Sequence, residues 1–344
     1  MSRQATSEPI LIWGAGAIGG TVGATLKRAG RDVTFVDIVG EHVAAIRDPA
    51  RGLAITGPVD PMTVTAPAFT PAELTGTWKR IFLAVKAHHT AEATRALRPH
   101  LAPDGYVLSL QNGLCEPIIA GIVGPERTVG AFINFGADWI GPGEIHYGNR
   151  AAFVVGELDG KTTPRLEALL ADVRLFEPDA IITDDVGSYL WGKLAYGSLL
   201  FAQGVGQLGI ADCLARPELL PLWRGLATEV LSVARAEGVT PRGFNGFDPA
   251  AFQPGSSEAA ARASVAAMVA FNRPNAKTHS GIWRDLAVRK RRTEVDVQLA
   301  PVAALGARHG IPCPKLAALV AMIHEIEDGK RAMTDDNLDE LVRA

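Results

Sequence analysis

The chain is 344 residues long, enough at roughly 100–200 residues per domain for two domains, each with a buried core. Hydrophobic residues make up 47% and charged residues 21%, which excludes a disordered chain, and 34 basic against 37 acidic side chains leave no excess positive charge for a general nucleic-acid binder. Cys115, Cys213 and Cys313 are too few and too dispersed for a disulfide scaffold or a Cys-rich zinc site, so a reducing, cytoplasmic setting is the expectation.

Residues 9–26 carry no charge and mimic a signal-peptide core or a short membrane span. Gly14, Gly16, Gly19, Gly20 and Gly23 would interrupt a spanning helix, and the flanks lack a convincing cleavage pattern, so neither export nor membrane insertion is expected. The same residues read better as strand, turn and helix. Ile10-Leu11-Ile12-Trp13 is an apolar run that stops at Gly14, residues 18–28 carry helical spacing, and Gly30 closes the helix. Val33-Thr34-Phe35-Val36, ending at Asp37, then completes a βαβ unit.

Further strands are expected at 81–85, 106–110, 128–132 and 153–155, with helical stretches between several of them. This alternation predicts an α/β fold, a Rossmann-type doubly wound parallel sheet over residues 1–184. Helical periodicity takes over afterwards. Val186, Leu190, Leu194, Gly197 and Phe201 share one face, and residues 219–237, 257–271, 284–309 and 314–327 read as helices, giving an all-helical domain over 185–330. Residues 240–255 read as a loop, and residues 331–344 as a solvated acidic tail.

Gly14-Ala15-Gly16-Ala17-Ile18-Gly19 is G-x-G-x-x-G, and it lies between the first strand and the first helix. There Gly14 serves the tight turn, Gly16 the approach of a pyrophosphate, and Gly19 close helix–strand contact, while the helix start offers N–H groups to phosphates. Asp37, eighteen residues after Gly19, is placed to accept both ribose hydroxyls of an adenosine, or to serve only as a strand-end turn residue. Ile38-Val39-Gly40-Glu41 supplies no basic side chain for a 2′-phosphate, so NAD is favoured over NADP. His88 and His89 lack the spacing of metal ligands, and no metal is expected.

Six landmarks recur in order: GAGAIGG at 14–20, AVKAHHT at 84–90, LQNGL at 110–114, GPGEIHYG at 141–148, WGKLAYG at 191–197 and HSGIWRDLAVRKRRTEVD at 279–296. Along nearly its whole length the chain resembles the ketopantoate reductase (2-dehydropantoate 2-reductase) family. The resemblance implies hydride transfer between a reduced nicotinamide and a 2-oxo acid, with a homodimer formed through the helical domain. It makes Lys193 the proton donor to the incipient alkoxide and Glu294 the group that orients it. Lys86 and Asn112 are implied near the nicotinamide and substrate, and Ser280 on the substrate carboxylate. Without the resemblance, Lys193 reads as a snorkelling surface lysine, Glu294 as part of a charged helix face, and Ser280 as a helix cap.

The match also departs from the family. Gly197 and Phe201 stand where typical members carry asparagines, Lys277 replaces a third, and residues 297–302 read VQLAPV in place of an asparagine-glycine pair. Donors for a substrate hydroxyl are thereby lost, and a site without them has no reason to select ketopantoate. A 2-oxo or 2-hydroxy acid with a larger or less polar side chain is expected, its carboxylate held by Ser280 and Lys277. The alternatives are a D-2-hydroxy-acid dehydrogenase of mandelate type and a dinucleotide-binding sensor without catalysis, against which Lys193 and Glu294 count. The run Arg289-Lys290-Arg291-Arg292 reads as a solvated helix face.

Overall fold

Residues 9–26 form a strand, a turn and a helix, β1 (Ile10–Trp13) and α1 (Ala17–Arg28), with β2 (Val33–Val36) following. All eight residues of β1 and β2 are buried, as unbroken apolar runs in a sheet covered on both faces must be. In the computed structural model, which describes residues 8–344, the chain divides into two units between Val186 and Gly187.

In the first unit the chain continues through α2 (Gly40–Arg47), β3 (Leu53–Thr56), β4 (Met62–Val64), β5 (Ala68–Phe69), β6 (Trp78–Leu83), α3 (Thr90–Leu97) and β7 (Leu101–Ser109). It ends with α4 (Glu116–Val123), β8 (Thr128–Ile133), β9 (Gly136–Gly141), β10 (Glu144–Asn149), β11 (Phe153–Glu157), α5 (Pro164–Phe176) and β12 (Ile181–Ile182). Eight strands form one sheet in the order β12-β11-β8-β7-β6-β1-β2-β5. The order reverses beside β1, which is the crevice where doubly wound folds bind ligands.

The sheet is the expected parallel one but for one pair, β8 and β11, which run antiparallel. The chain reaches β11 through a hairpin rather than a crossover helix, and that hairpin belongs to a second sheet that the strand signals passed over. Its order is β4-β3-β10-β9. β3 alternates buried with half-buried positions, β4 has three residues, and β9 and β10 mix polar residues and glycine with apolar ones, so each lacks the continuous apolar run that marked the central strands.

A buried charge network lies within the first unit. Asp172 on α5 receives Arg31 Nε at 2.6 Å and the Arg80 guanidinium, and Arg80 Nε donates to the Tyr106 hydroxyl at 3.3 Å. Arg165 in turn pairs with Glu157 and stacks its guanidinium over the Tyr106 ring.

The second unit carries α6 (Val186–Gln203), α7 (Ile210–Leu214), α8 (Leu220–Ala236), α9 (Glu258–Asn272), α10 (Gly281–Trp283), α11 (Val295–Gln298), α12 (Ala300–Arg308), α13 (Pro314–Glu327) and α14 (Asp336–Arg343). Helix α8 is central: Trp223, Leu226, Val230 and Leu231 are fully enclosed, and α12, α13 and α14 pack around it. Glu229 on α8 accepts the N–H groups of Lys315 and Leu316, capping α13 from outside its own chain segment.

Two helical expectations are corrected. Residues 284–309 are not one helix. A π-helical turn at Arg284–Val288 ends near Lys290, whose φ is +50°, and α11 and α12 follow separately. The cause is local electrostatics: Asp285, its side chain 3% exposed, receives both Arg289 and Arg291 and folds the chain back on itself. The basic run is therefore not a helix face. Arg292 is also paired, with Glu327 and Asp328.

Residues 331–344 are not a solvated tail either. Helix α14 buries Asn337, Leu338 and Leu341. Asn337 Nδ2 donates to the Val205 and Ala332 carbonyls, and Lys315 Nζ donates to the carbonyls of Leu341 and Val342 at the helix end. The acidic residues that suggested solvation occupy the outer face of an amphipathic helix.

Candidate active site

In the first unit the candidate cofactor residues follow the ends of adjacent parallel strands. Trp13 is in register with Val36 and Leu83, and Leu83 with Ser109, so the four strands end level. The residues that come next are Gly14, Asp37, Ala84 and Leu110. Backbone bonds from Gly14 to Val36, Ala84 to Trp13 and Leu110 to Leu83, each 2.8 Å, carry the level edge one residue further.

The three glycines of the turn meet three different surroundings. Gly14 has φ +97°, and a Cβ there would lie 2.9 Å from the backbone of Ala84 and Val85. A Cβ on Gly19 would lie 2.1 Å from the Gly14 carbonyl oxygen and 2.9 Å from Ile12 and Ala84, so only glycine lets helix and strand approach this closely. Beside Gly16 a Cβ would meet nothing within 4 Å, which leaves the turn open on that side.

The first hydrogen bond of α1 runs from the Gly20 N–H to the Gly16 carbonyl at 2.7 Å. The N–H groups of Ala17, Ile18 and Gly19 precede it and serve no helical bond, and the first turn holds no acidic side chain to repel an anion. An open glycine turn whose helix start offers N–H donors and holds no acidic side chain of its own fits a dinucleotide pyrophosphate.

Asp37 lies at the end of β2, half-buried. Its Oδ2 accepts the Ala15 N–H at 2.9 Å and its Oδ1 accepts the Val39 N–H at 3.0 Å. The turn-residue role weighed from the sequence is thus present, and it ties Asp37 to the glycine turn itself. Ile38 beside it is 78% exposed. Lys86 is half-buried at the start of the 3₁₀ turn Ala87–His89, and Asn112 is exposed in the loop after β7. Gln111, which the sequence reading left without a role, joins these two loops: its Nε2 donates to the Val85 carbonyl at 3.0 Å and to Thr90 Oγ1 at 2.9 Å.

In the second unit α6 is buried along most of its length, and from Tyr189 onward only Tyr189, Lys193, Gly197 and Leu200 are partly exposed. Their spacing of four, four and three makes one stripe. Phe201, expected on the Lys193 side, is corrected: it is 1% exposed and belongs to the core stripe with Leu190 and Leu194. Eight residues at 3.6 per turn leave it about 80° round the helix from Lys193. Within its own unit a Cβ on Gly197 would meet nothing within 4 Å.

Ser280 is buried and its Oγ accepts the Trp283 N–H at 3.1 Å, so it caps α10 and keeps its hydroxyl hydrogen for another acceptor. Lys277 is half-buried in the preceding segment. Glu294 is buried at the start of α11. Its neighbour Thr293 gives both its N–H and its hydroxyl to Glu327 Oε1, at 2.7 and 2.8 Å. Glu327, its side chain 1% exposed, was not foreseen, since in sequence it is one of two glutamates at the polar end of a helix. Among the described residues no group of three or more His, Cys, Asp or Glu side chains is arranged to hold a metal, and no helix is long and apolar enough to cross a membrane.

Comparison with known proteins decides the family. Residues 10–160 match the family described as Ketopantoate reductase PanE/ApbA, and residues 185–327 match its C-terminal counterpart. The chain belongs to the ketopantoate reductase family. Membership makes it an NAD(P)-dependent oxidoreductase of the 2-oxo acid and 2-hydroxy acid class. A 2-dehydropantoate 2-reductase of Archaeoglobus fulgidus is 27% identical over 324 residues, covering 94% of this chain and 99% of its own. That of Mesorhizobium japonicum is 29% identical over 213 residues, a stretch spanning 56% of this chain and 64% of the relative.

Among solved structures, a ketopantoate reductase of this family from Ralstonia eutropha JMP134 superposes with TM-score 0.77 at 26% identity, covering 94% of this chain and 99% of that one. D-mandelate dehydrogenase, solved with NADH and anilino(oxo)acetate, superposes with TM-score 0.81 over 94% of this chain and 99% of that one. At 20% identity that likeness concerns the fold.

Proposed function

We propose that this ketopantoate reductase relative interconverts a 2-oxo acid and its 2-hydroxy acid with NAD in preference to NADP, on a substrate bulkier or less polar than ketopantoate. The observation that carries the reading is the α6 stripe, where Lys193 is followed one turn later by Gly197 with open space at its Cα. A bound reduced nicotinamide supplies the hydride that carbonyl reduction requires. The chain's own residues bind, orient and protonate.

Lys193 donates its Nζ proton to the substrate oxygen, where negative charge grows as the carbonyl is reduced. Glu294 orients Lys193 and favours its charged form, and Glu327 fixes the chain beside Glu294 through Thr293. Ser280 and Lys277 hold the substrate carboxylate, the first through its remaining hydroxyl hydrogen. Asn112 aligns the carbonyl, and Lys86 contacts the dinucleotide. Asp37 accepts the adenosine ribose hydroxyls and repels a 2′-phosphate, and no basic residue follows it to compensate. A homodimer through the helical unit and a cytoplasmic location complete the reading.

Gly197 supports a second form of the same chemistry, a D-2-hydroxy-acid dehydrogenase of mandelate type, because an open position on the lysine stripe admits an aromatic ring. A panel of 2-oxo and 2-hydroxy acids run with both dinucleotides, on the wild type and Lys193→Ala, tests the proposal. The expected result is best turnover on a bulky or aromatic acid with NAD, and a loss of about 10²- to 10⁴-fold in kcat in the variant with dinucleotide binding retained. Best turnover on ketopantoate with NADPH, or full activity without the Lys193 amine, would overturn it.

A further inference from the structure

His42 lies on α2, 1% exposed, and both of its ring nitrogens are engaged. The Gly143 N–H donates to Nδ1 at 2.8 Å, so Nδ1 carries no proton. Nε2 lies 2.8 Å from the Ala15 carbonyl oxygen, which can only accept, so Nε2 carries the ring proton and donates it. One partner is in the glycine turn and the other is in the turn between β9 and β10. The indole of Trp139 closes edge-on against the imidazole, with ring centroids 6.0 Å apart at 75°.

The β9–β10 turn is itself fixed. The Gly143 carbonyl accepts the Ala54 N–H at 2.8 Å, tying the turn to β3, and β10 lies against α1 closely enough that a Cβ on Gly20 would come within 2.3 Å of Ile145. The small second sheet is thus a rigid mount, and His42 is the polar link from that mount to the glycine turn.

Ala15 is held from both ends. Its N–H goes to Asp37 and its carbonyl to His42. The Ala15 carbonyl and the Gly16 N–H belong to one planar trans peptide and point in opposite directions, so drawing the carbonyl toward His42 turns the Gly16 N–H away from it. We infer that His42 is a positioning residue for dinucleotide binding: braced by the turn of the second sheet, it sets the plane of the Ala15–Gly16 peptide and so aims the Gly16 N–H. This rests on the dinucleotide lodging at the glycine turn. It gives the second sheet a purpose in the family's reaction, since a donor already aimed loses no ordering entropy when an anion arrives.

The test separates the two bonds of the ring. In His42→Gln the side-chain amide can reach the Ala15 carbonyl as Nε2 does, whereas in His42→Asn the shorter amide can reach only the donors at Nδ1, the Gly143 N–H and the Trp139 Nε1–H at 3.5 Å, and His42→Leu removes all of these bonds. NADH and NADPH are titrated separately by fluorescence, alongside thermal melting of each variant. The dissociation constant is expected to rise about 5- to 10-fold in His42→Asn and His42→Leu and to stay within about twofold in His42→Gln, the loss of one buried hydrogen bond.

The Gln variant gives up both donors at Nδ1 and the Asn variant only the Ala15 bond, so the melting temperature should fall at least as far in the Gln variant. Weaker dinucleotide binding in the Asn variant, which melts no lower than the Gln variant, is what a merely structural role would not give. Wild-type affinity in His42→Leu, or equal weakening in the Gln and Asn variants, overturns the inference while leaving dinucleotide binding intact. A wild-type chain that binds neither dinucleotide overturns the underlying reading and this inference together.

Discussion

The carboxylate of Asp37 closes on the glycine turn, taking the Ala15 N–H at 2.9 Å, so the residue proposed to read the ribose also braces the turn proposed to hold the phosphates. Asp37→Ala should therefore weaken NADH use by more than a lost ribose contact alone. A hydrogen bond to a charged group is worth about 1.5–3 kcal/mol, which corresponds to roughly a 10- to 100-fold fall in kcat/KM for NADH. Adding Ile38→Arg at the exposed neighbouring position should raise kcat/KM for NADPH above that for NADH. Steady-state kinetics with both dinucleotides measure the reversal.

Gly16 and Gly19 should separate binding from folding. A methyl at Gly16 meets open space and its φ of −69° suits any residue, so Gly16→Ala should fold with stability changed by less than about 1 kcal/mol yet bind dinucleotide poorly. Gly19→Ala drives a methyl to 2.1 Å from the Gly14 carbonyl and should cost about 3 kcal/mol or more through overpacking. Urea denaturation beside dinucleotide titration distinguishes the two losses.

Asp172 holds together two arginines from distant parts of the first unit. Removing it in Asp172→Ala leaves the Arg80 guanidinium, whose side chain is 8% exposed, without its carboxylate, and should destabilise the unit by about 3–5 kcal/mol. Leu338 gives a matching test in the second unit: Leu338→Ala opens a cavity under α14 and should cost about 2–5 kcal/mol. A solvated tail would show no change in either denaturant midpoint or melting temperature.

The protein should lose stability in alkali. Burial pushes the Cys213 thiol up to about 12 and the Tyr196 hydroxyl up to about 12. In the unfolded chain the two groups ionise near 8.5 and 10, so their contribution is fully present below those values and is lost as pH rises toward about 12. Melting temperatures taken from pH 8 to 11 should fall, with a shallower slope in Cys213→Ala. At pH 8 iodoacetamide should modify Cys213 at least about 100-fold more slowly than a free thiol, because the thiolate is the reactive form.

Much of the fold was legible locally. Gly14, Gly16 and Gly19 announced themselves because the turn, the open approach and the close contact each demand glycine at a set spacing, and the central strands are continuous apolar runs. The strands of the second sheet were not, since β4 pairs only with β3 and β3 depends on β10, a partner far along the chain, rather than on its own pattern. The helix expected at 284–309 failed for a related reason: Asp285 gathers Arg289 and Arg291, and periodicity does not register a charge pulling the backbone round. Phe201 shows how a spacing argument drifts, because i+4 stays on a face and i+8 does not.

By itself the sequence determined the glycine turn, the parallel sheet around it, the helical second half and the family motifs that carry Lys193 and Glu294. These depend on short-range rules, on which residues tolerate a given turn or fill a given period. Only the tertiary structure decided that His42 joins Ala15 to the β9–β10 turn, that Glu327 anchors Thr293, and that the acidic end of the chain packs as a helix. Those facts depend on which distant partner satisfies a buried polar group, and a linear pattern contains no distances.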